Sequence, residues 1–99
     1  MYLLQILLPA RGGGSRRNAI LASLHRTLVN KFGGLTAHSR APAKGKWLSG
    51  GKVERDDIVI LEVMTKTIDR KWWSKMRKGL ELGLDQKELV IRSQRIEQL

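Results

Sequence analysis

The apolar residues of this chain fall into separate runs that switch between two periods, and that switching restricts the fold more than any other feature. Residues 2–8 form a short aliphatic run closed by Pro9 and read as a buried strand. From Ser15 or Arg16 the period lengthens. Ile20, Leu21, Leu24, Leu28 and Phe32 make one helical stripe, leaving Arg16, Arg17, Arg26 and Lys31 to water. Gly33-Gly34 stops that helix, because glycine accepts the left-handed backbone that follows a helix end. Residues 35–41 predict a second strand, bent at Pro42, continued by Trp47-Leu48 and turned at Ser49-Gly50-Gly51. Residues 53–64 predict a third, strongest over 58–64, so the two form a long bent hairpin. Asp69 stands at the start of a second helix, with Ile68 and Trp73 at the positions of a hydrophobic staple. Trp73, Met76, Leu80 and Leu84 form its stripe, and Gly79 and Gly83 mean a weak helix or close packing there. Residues 89–93 predict the last strand, and 95–99 a tail or edge extension.

Strand, helix, strand, strand, helix, strand is the order of the split βαβ unit. The expected class is therefore α+β: a ferredoxin-like βαββαβ sandwich, a four-stranded antiparallel sheet with two helices on one face. The 99 residues suit a single ferredoxin-like domain over 1–99. With no cysteine, a disulfide framework, a thiolate metal site and a cysteine nucleophile are excluded. His25 and His38 have no ligand spacing, so no metal is expected, and no motif calls for a cofactor. Ser39 lacks a nucleophile-elbow setting. Gly12-Gly13-Gly14-Ser15-Arg16-Arg17 offers phosphate donors between a strand and a helix, but matches neither GxGxxG nor GxxxxGK[ST]. It reads as a mobile connection.

Charge is divided unevenly. The formal net charge is +10, and the first acid is Glu54; residues 1–53 hold nine Lys/Arg and no carboxylate. Such a segment attracts polyanions, anionic surfaces or acidic small molecules. Nucleic-acid binding by charge alone is an alternative but not the favoured one. An RNA-recognition module stacks bases on aromatics of its first and third strands, and here Tyr2 is the only aromatic across those two runs. Trp47 among Lys44, Lys46 and Lys52 suits base stacking or hairpin anchoring equally. Trp73 is assigned to the core and Trp72 to a partly exposed position. Residues 1–9 lack the positive flank of a signal peptide and the ~20 residues of a membrane span, so a cytoplasmic protein without membrane attachment is expected.

Side chains alternate across a sheet, so each strand divides into two sets. Leu4, Ile6, Leu8, Val59, Leu61, Val63, Leu89 and Ile91 form an apolar set for the helix side. The opposite set is Leu3, Gln5, Leu7, Ile58, Ile60, Glu62, Met64, Val90 and Arg92, joined by Thr36, His38 and Arg40. A water-facing set should not be that aliphatic, and an extensive exposed apolar patch marks an interface. A homodimer packed open face to open face is expected, with edge-strand pairing as the alternative. Gln5, Glu62 and Arg92 fall at the centre of that face, with His38 and Arg40 at the rim. Gln5 between a Glu62–Arg92 pair is either a self-satisfied structural cluster or a site for a small anionic or amphipathic ligand. His38 is the one candidate general acid or base of a cofactor-independent enzyme, and no catalytic residue is assigned.

Several segments together resemble a group of small bacterial proteins of ferredoxin-like fold with no established activity. They are Phe32-Gly33-Gly34-Leu35-Thr36, Arg40-Ala41-Pro42, Gly45-Lys46-Trp47, Arg55-Asp56-Asp57-Ile58-Val59, Glu62-Val63-Met64 and Asp69-Arg70-Lys71-Trp72-Trp73. The resemblance covers residues 30–95, implies the fold and brings no activity with it. The architecture is also similar to dimeric α+β barrels, in which two open sheet faces enclose a cavity; that analogy of fold does not fix function.

Overall fold

A computed structural model describes residues 1–10, 14–49 and 52–99; for 39–49 and 52–57 it describes the strand path and pairing, without the side chains. The order is β1 (Tyr2–Pro9), α1 (Gly14–Phe32), β2 (Thr36–Ser49), β3 (Lys52–Thr65), α2 (Arg70–Gly83) and β4 (Ile91–Arg95). The strands make one sheet in the order β2-β3-β1-β4, and the pairings are antiparallel. This is the ferredoxin-like sandwich expected from the order of periods.

Period-two alternation does the sorting. Along β1, Leu4, Ile6 and Leu8 are buried while Leu3, Gln5 and Leu7 are half-buried. Leu61 and Val63 of β3 join the buried set, and Leu24 and Leu28 of α1 and Trp73 and Leu80 of α2 close over it. Val59 and Ile91 pack against the same cluster, so the helix-side assignment holds for all eight residues. Ile58, assigned to the open face, is 7% exposed and is not part of the helix-side cluster. It pairs with Pro9 at the end of β1 and with Ala43 just past a slip in the β2 register between His38 and Ala43. The β1–β3 register runs unbroken to that pair, so Ile58 keeps the parity of Ile60, Glu62 and Met64. The slip accommodates Pro42, which has no N–H for a ladder. β1 covers β3 from Thr65 to Ile58, whereas the pairing of β3 from Asp57 to Lys52 is with β2.

The helix ends follow the local chemistry. Gly33 has φ +79° and its N–H donates to the Val29 carbonyl at 2.8 Å, ending α1 in the left-handed region. Asp69 accepts the Trp72 N–H at 3.1 Å and so caps α2, and Ile68 packs on the cluster that contains Trp73. A Cβ on Gly83 would lie 3.0 Å from Ile20 Cδ1, so close helix packing explains that glycine; one on Gly79 would meet nothing within 4 Å. Trp72 is half-buried, edge-on to Phe32 at 5.7 Å with the Lys31 ammonium 4.7 Å over its ring.

The last strand starts later than expected, at Ile91 and not 89, and runs to Arg95. Its register on β1 runs from Ile6↔Ile91 to Tyr2↔Arg95, so the pairing extends to the very start of β1 and draws residues 94 and 95 into the ladder. Leu89 and Val90 still lie alongside: the Leu7 N–H donates to the Val90 carbonyl at 3.0 Å, and Glu81 Oε2 accepts the Leu89 N–H at 2.9 Å.

Candidate functional site on the open sheet face

β1 holds an inner place in the sheet, so Gln5 has a cross-strand partner on each side: Glu62 on β3 and Arg92 on β4. Its amide uses both. Nε2 donates to Glu62 Oε1 at 2.9 Å, and Oε1 accepts from Arg92 Nε at 2.7 Å. Gln5 thus bridges the two charged groups, as the alternation pattern placed it. An amide is suited to this position because it donates at one end and accepts at the other.

β2 adds His38. In register His38 opposes Ile60 and Thr36 opposes Glu62, yet the imidazole reaches diagonally and Nε2 lies 3.1 Å from Glu62 Oε1. The Glu62 side chain is 21% exposed and that of His38 52%, so the row runs from a sheltered centre to an open rim. A single carboxylate oxygen therefore joins the imidazole and the Gln5 amide. Four of the five residues singled out from the sequence, Gln5, His38, Glu62 and Arg92, form one polar row across the sheet. The side chain of Arg40 lies outside the described residues, as do those of Ser39, Lys44, Lys46, Trp47 and Lys52.

Aliphatic side chains flank the row. Leu3, Leu7, Ile60 and Val90 are half-buried and Met64 is 47% exposed, on the face that neither helix covers. The open face at β1 and at Ile60, Glu62 and Met64 of β3 thus presents no aromatic platform for stacked bases. His25 is exposed on α1. Arg17 donates to the Pro9 carbonyl, which ties the start of α1 to the end of β1; Arg11, Gly12 and Gly13 lie outside the described residues. Among the described residues no three His, Asp or Glu side chains converge as a metal site, and no helix is long and apolar enough to cross a membrane.

The sequence reading missed Glu81. Its carboxylate holds Arg77 at 3.3 Å and the Leu89 N–H at 2.9 Å, fastening α2 to the approach to β4. The four-residue spacing of Arg77 and Glu81 was the only available signal, and it says nothing about Leu89.

Comparison with solved structures places this geometry. The fold is similar to that of the CutA proteins. The periplasmic divalent cation tolerance protein CutA from Archaeoglobus fulgidus superposes with a TM-score of 0.61 at 16% identity, over 99% of this chain and 86% of that one. The PII-like protein CutA from Nostoc gives 0.58 at 11% identity, over 98% and 82%. A phage SAM lyase gives 0.57 at 9% identity, over 94% and 78%. No protein-family model matches the chain, and no curated protein matches its sequence. At these identities the likeness establishes the fold. It does not carry the expected cytoplasmic location, since the Archaeoglobus protein is periplasmic, nor a restriction to bacteria.

Proposed function

We propose that this chain is a small-ligand-binding protein of regulatory type, which associates with copies of itself through the open sheet face and takes an anionic or amphipathic ligand at the polar row. The observation that carries this reading is the hydrogen-bonded row Arg92–Gln5–Glu62–His38 set among partly exposed aliphatics on an uncovered face. A concave apolar surface with a few convergent polar groups is the usual form of a small-molecule site, and a second copy supplies the concavity that one flat sheet lacks. Arg92 spends its Nε–H on Gln5, and a guanidinium has further donors in a fixed fork for a carboxylate or phosphate. The SAM lyase, named for a small-molecule substrate, is consistent with a small-molecule role on this fold, by analogy of architecture alone. The divalent cation named for the Archaeoglobus protein belongs to that protein, and the proposed ligand here rests on the polar row and its aliphatic flanks.

Native mass spectrometry of the protein as purified from cells tests the reading. A bound small-molecule mass is expected on the wild type and its loss from Gln5→Leu and Arg92→Ala, each of which removes one link of the row. A wild type without such a mass, or one that both variants retain, overturns it.

One observation favours a second reading. The 3.1 Å approach of His38 to Glu62 supplies the orienting carboxylate that the sequence did not place next to the imidazole. In that reading the pair moves a proton on the bound ligand. His38→Gln then leaves the ligand mass in place and abolishes turnover, whereas in the binding reading there is no turnover to lose.

A further inference from the structure

On the opposite side of β4, away from the polar row, the edge of the sheet and α2 enclose an open cleft of ≈ 260 Å³. Its floor is apolar: Leu4, Ile68, Trp73 and Ile91. Its α2 wall carries Arg70, Ser74 and Arg77, which stand at i, i+4 and i+7 and so share one helix face beside the core stripe. Ser93 faces them from β4; it pairs with Leu4 and shares its parity. No carboxylate lines the cleft among the described residues.

The cationic groups differ in freedom. Arg92 also borders the cleft, but its Nε–H is turned to Gln5 on the other face. Arg77 is steadied by Glu81 at 3.3 Å, and Glu81 divides itself between that guanidinium and the Leu89 N–H. Arg70 is exposed in the first turn of α2, where the helix dipole adds to its positive field. That field reaches Tyr2, whose phenol is held below its ordinary range first by Arg95 and to a smaller degree by Arg70.

We propose that this cleft is a second binding site, for a small molecule that joins one oxyanion head, phosphate or carboxylate, to a single ring or short alkyl body. The head lies between Arg70 and Arg77 and accepts from the hydroxyls of Ser74 and Ser93. The body lies on Trp73 and Ile68. The volume limits what the cleft itself can seat: ≈ 260 Å³ is just below the usual range of ligand pockets and suits a single ring or short alkyl body. Paired guanidiniums bind planar oxyanion forks, and the apolar floor discriminates against a bare anion.

The test is an amide NMR titration of the full chain with phenyl phosphate, with benzoate, and with inorganic phosphate alone. Saturating shifts at Arg70, Ser74, Arg77 and Ser93 are expected with at least one of the two aromatic anions, and the tighter one assigns the head group. Inorganic phosphate should bind about tenfold more weakly than phenyl phosphate, if phosphate is that head. The double variant Arg70→Gln, Arg77→Gln should weaken binding about tenfold or more, and restoring position 77 as Arg77→Lys in the Arg70 background should recover part of the loss. His38→Ala, which alters only the open face, should leave these shifts unchanged. Shifts that fail to saturate, that survive the double variant, or that vanish with His38→Ala would overturn the proposal. The last result would return the anion to the open face, so the two sites fail separately.

Discussion

Gly79 and Gly83 sit four residues apart on α2 and have different reasons for being there. At Gly83 the Ile20 methyl stands 3.0 Å from where a Cβ would be, and the absence of a side chain lets α1 and α2 approach. At Gly79 nothing lies within 4 Å, so the residue leaves helix propensity unused. Gly79→Ala should stabilise the fold by about 1 kcal/mol, because alanine loses less backbone freedom on entering a helix. For a chain of this length that raises the melting temperature by about 4–8 °C. Gly83→Ala should yield distinctly less, since Ile20 must move to accept the methyl. Thermal denaturation of the two variants side by side checks the assignment, and equal gains would contradict the close helix approach. The sequence posed weak helix or close packing as alternatives for both positions; only the neighbours in space separate them.

Between elements, the weakest junction of the sheet is the edge strand β4, whose five residues are bonded to β1. Its far end carries a side-chain clasp: Arg95 Nη2 donates to the Tyr2 hydroxyl at 3.4 Å and the guanidinium lies 5.8 Å from the ring centre. Arg95 holds the phenol below its ordinary value of about 10, first through that hydrogen bond and then through its charge. The folded phenol loses its proton at lower pH than the unfolded one. The clasp therefore adds stability as pH rises through that interval, holds it fully above the unfolded value, and loses it as pH falls through the folded one. Tyr2 is the one tyrosine in the chain, so a phenolate absorbance titration reads it directly. A midpoint below 10 is expected for the wild type and a rise toward 10 for Arg95→Gln; identical curves would refute the clasp. The strand itself was visible in the sequence, but its limits were not. Ser93-Gln94-Arg95 has no aliphatic run, and it is strand because β1 begins at Tyr2 and offers it backbone partners.

At the scale of the molecule, two layers leave one sheet face without a cover. Leu3, Leu7, Ile60 and Val90 stay half-buried there and Met64 nearly half exposed, on a protein whose formal charge of +10 otherwise keeps copies apart. Burial of such aliphatics contributes roughly 25 cal/mol per Å², and a stable pairing needs about 800 Å² from each partner. Self-association is the expected outcome in sedimentation at moderate salt, where charge repulsion is screened. Leu7→Asp, at the middle of the patch and away from the helix-side core, should give folded monomers. A monomeric wild type at about 100 μM would remove the reason for placing a ligand between open faces.

Order and parity were properties of the amino-acid sequence itself. The periods named the six elements, and alternation put Gln5, Glu62 and Arg92 on one face, because a strand must send successive side chains to opposite sides. Tertiary structure alone decided what no period encodes. It chose which strands lie side by side, which makes Gln5 the bridge and brings His38 diagonally onto Glu62 across a gap of 24 residues. It slipped the β2 register between His38 and Ala43 and buried Ile58, which parity alone left on the open face. It also closed α2 over the edge of β4, placing Ser93 opposite Arg70, Ser74 and Arg77. Those relations depend on distances between segments far apart in the chain, and local pattern carries no record of such distances until packing creates them.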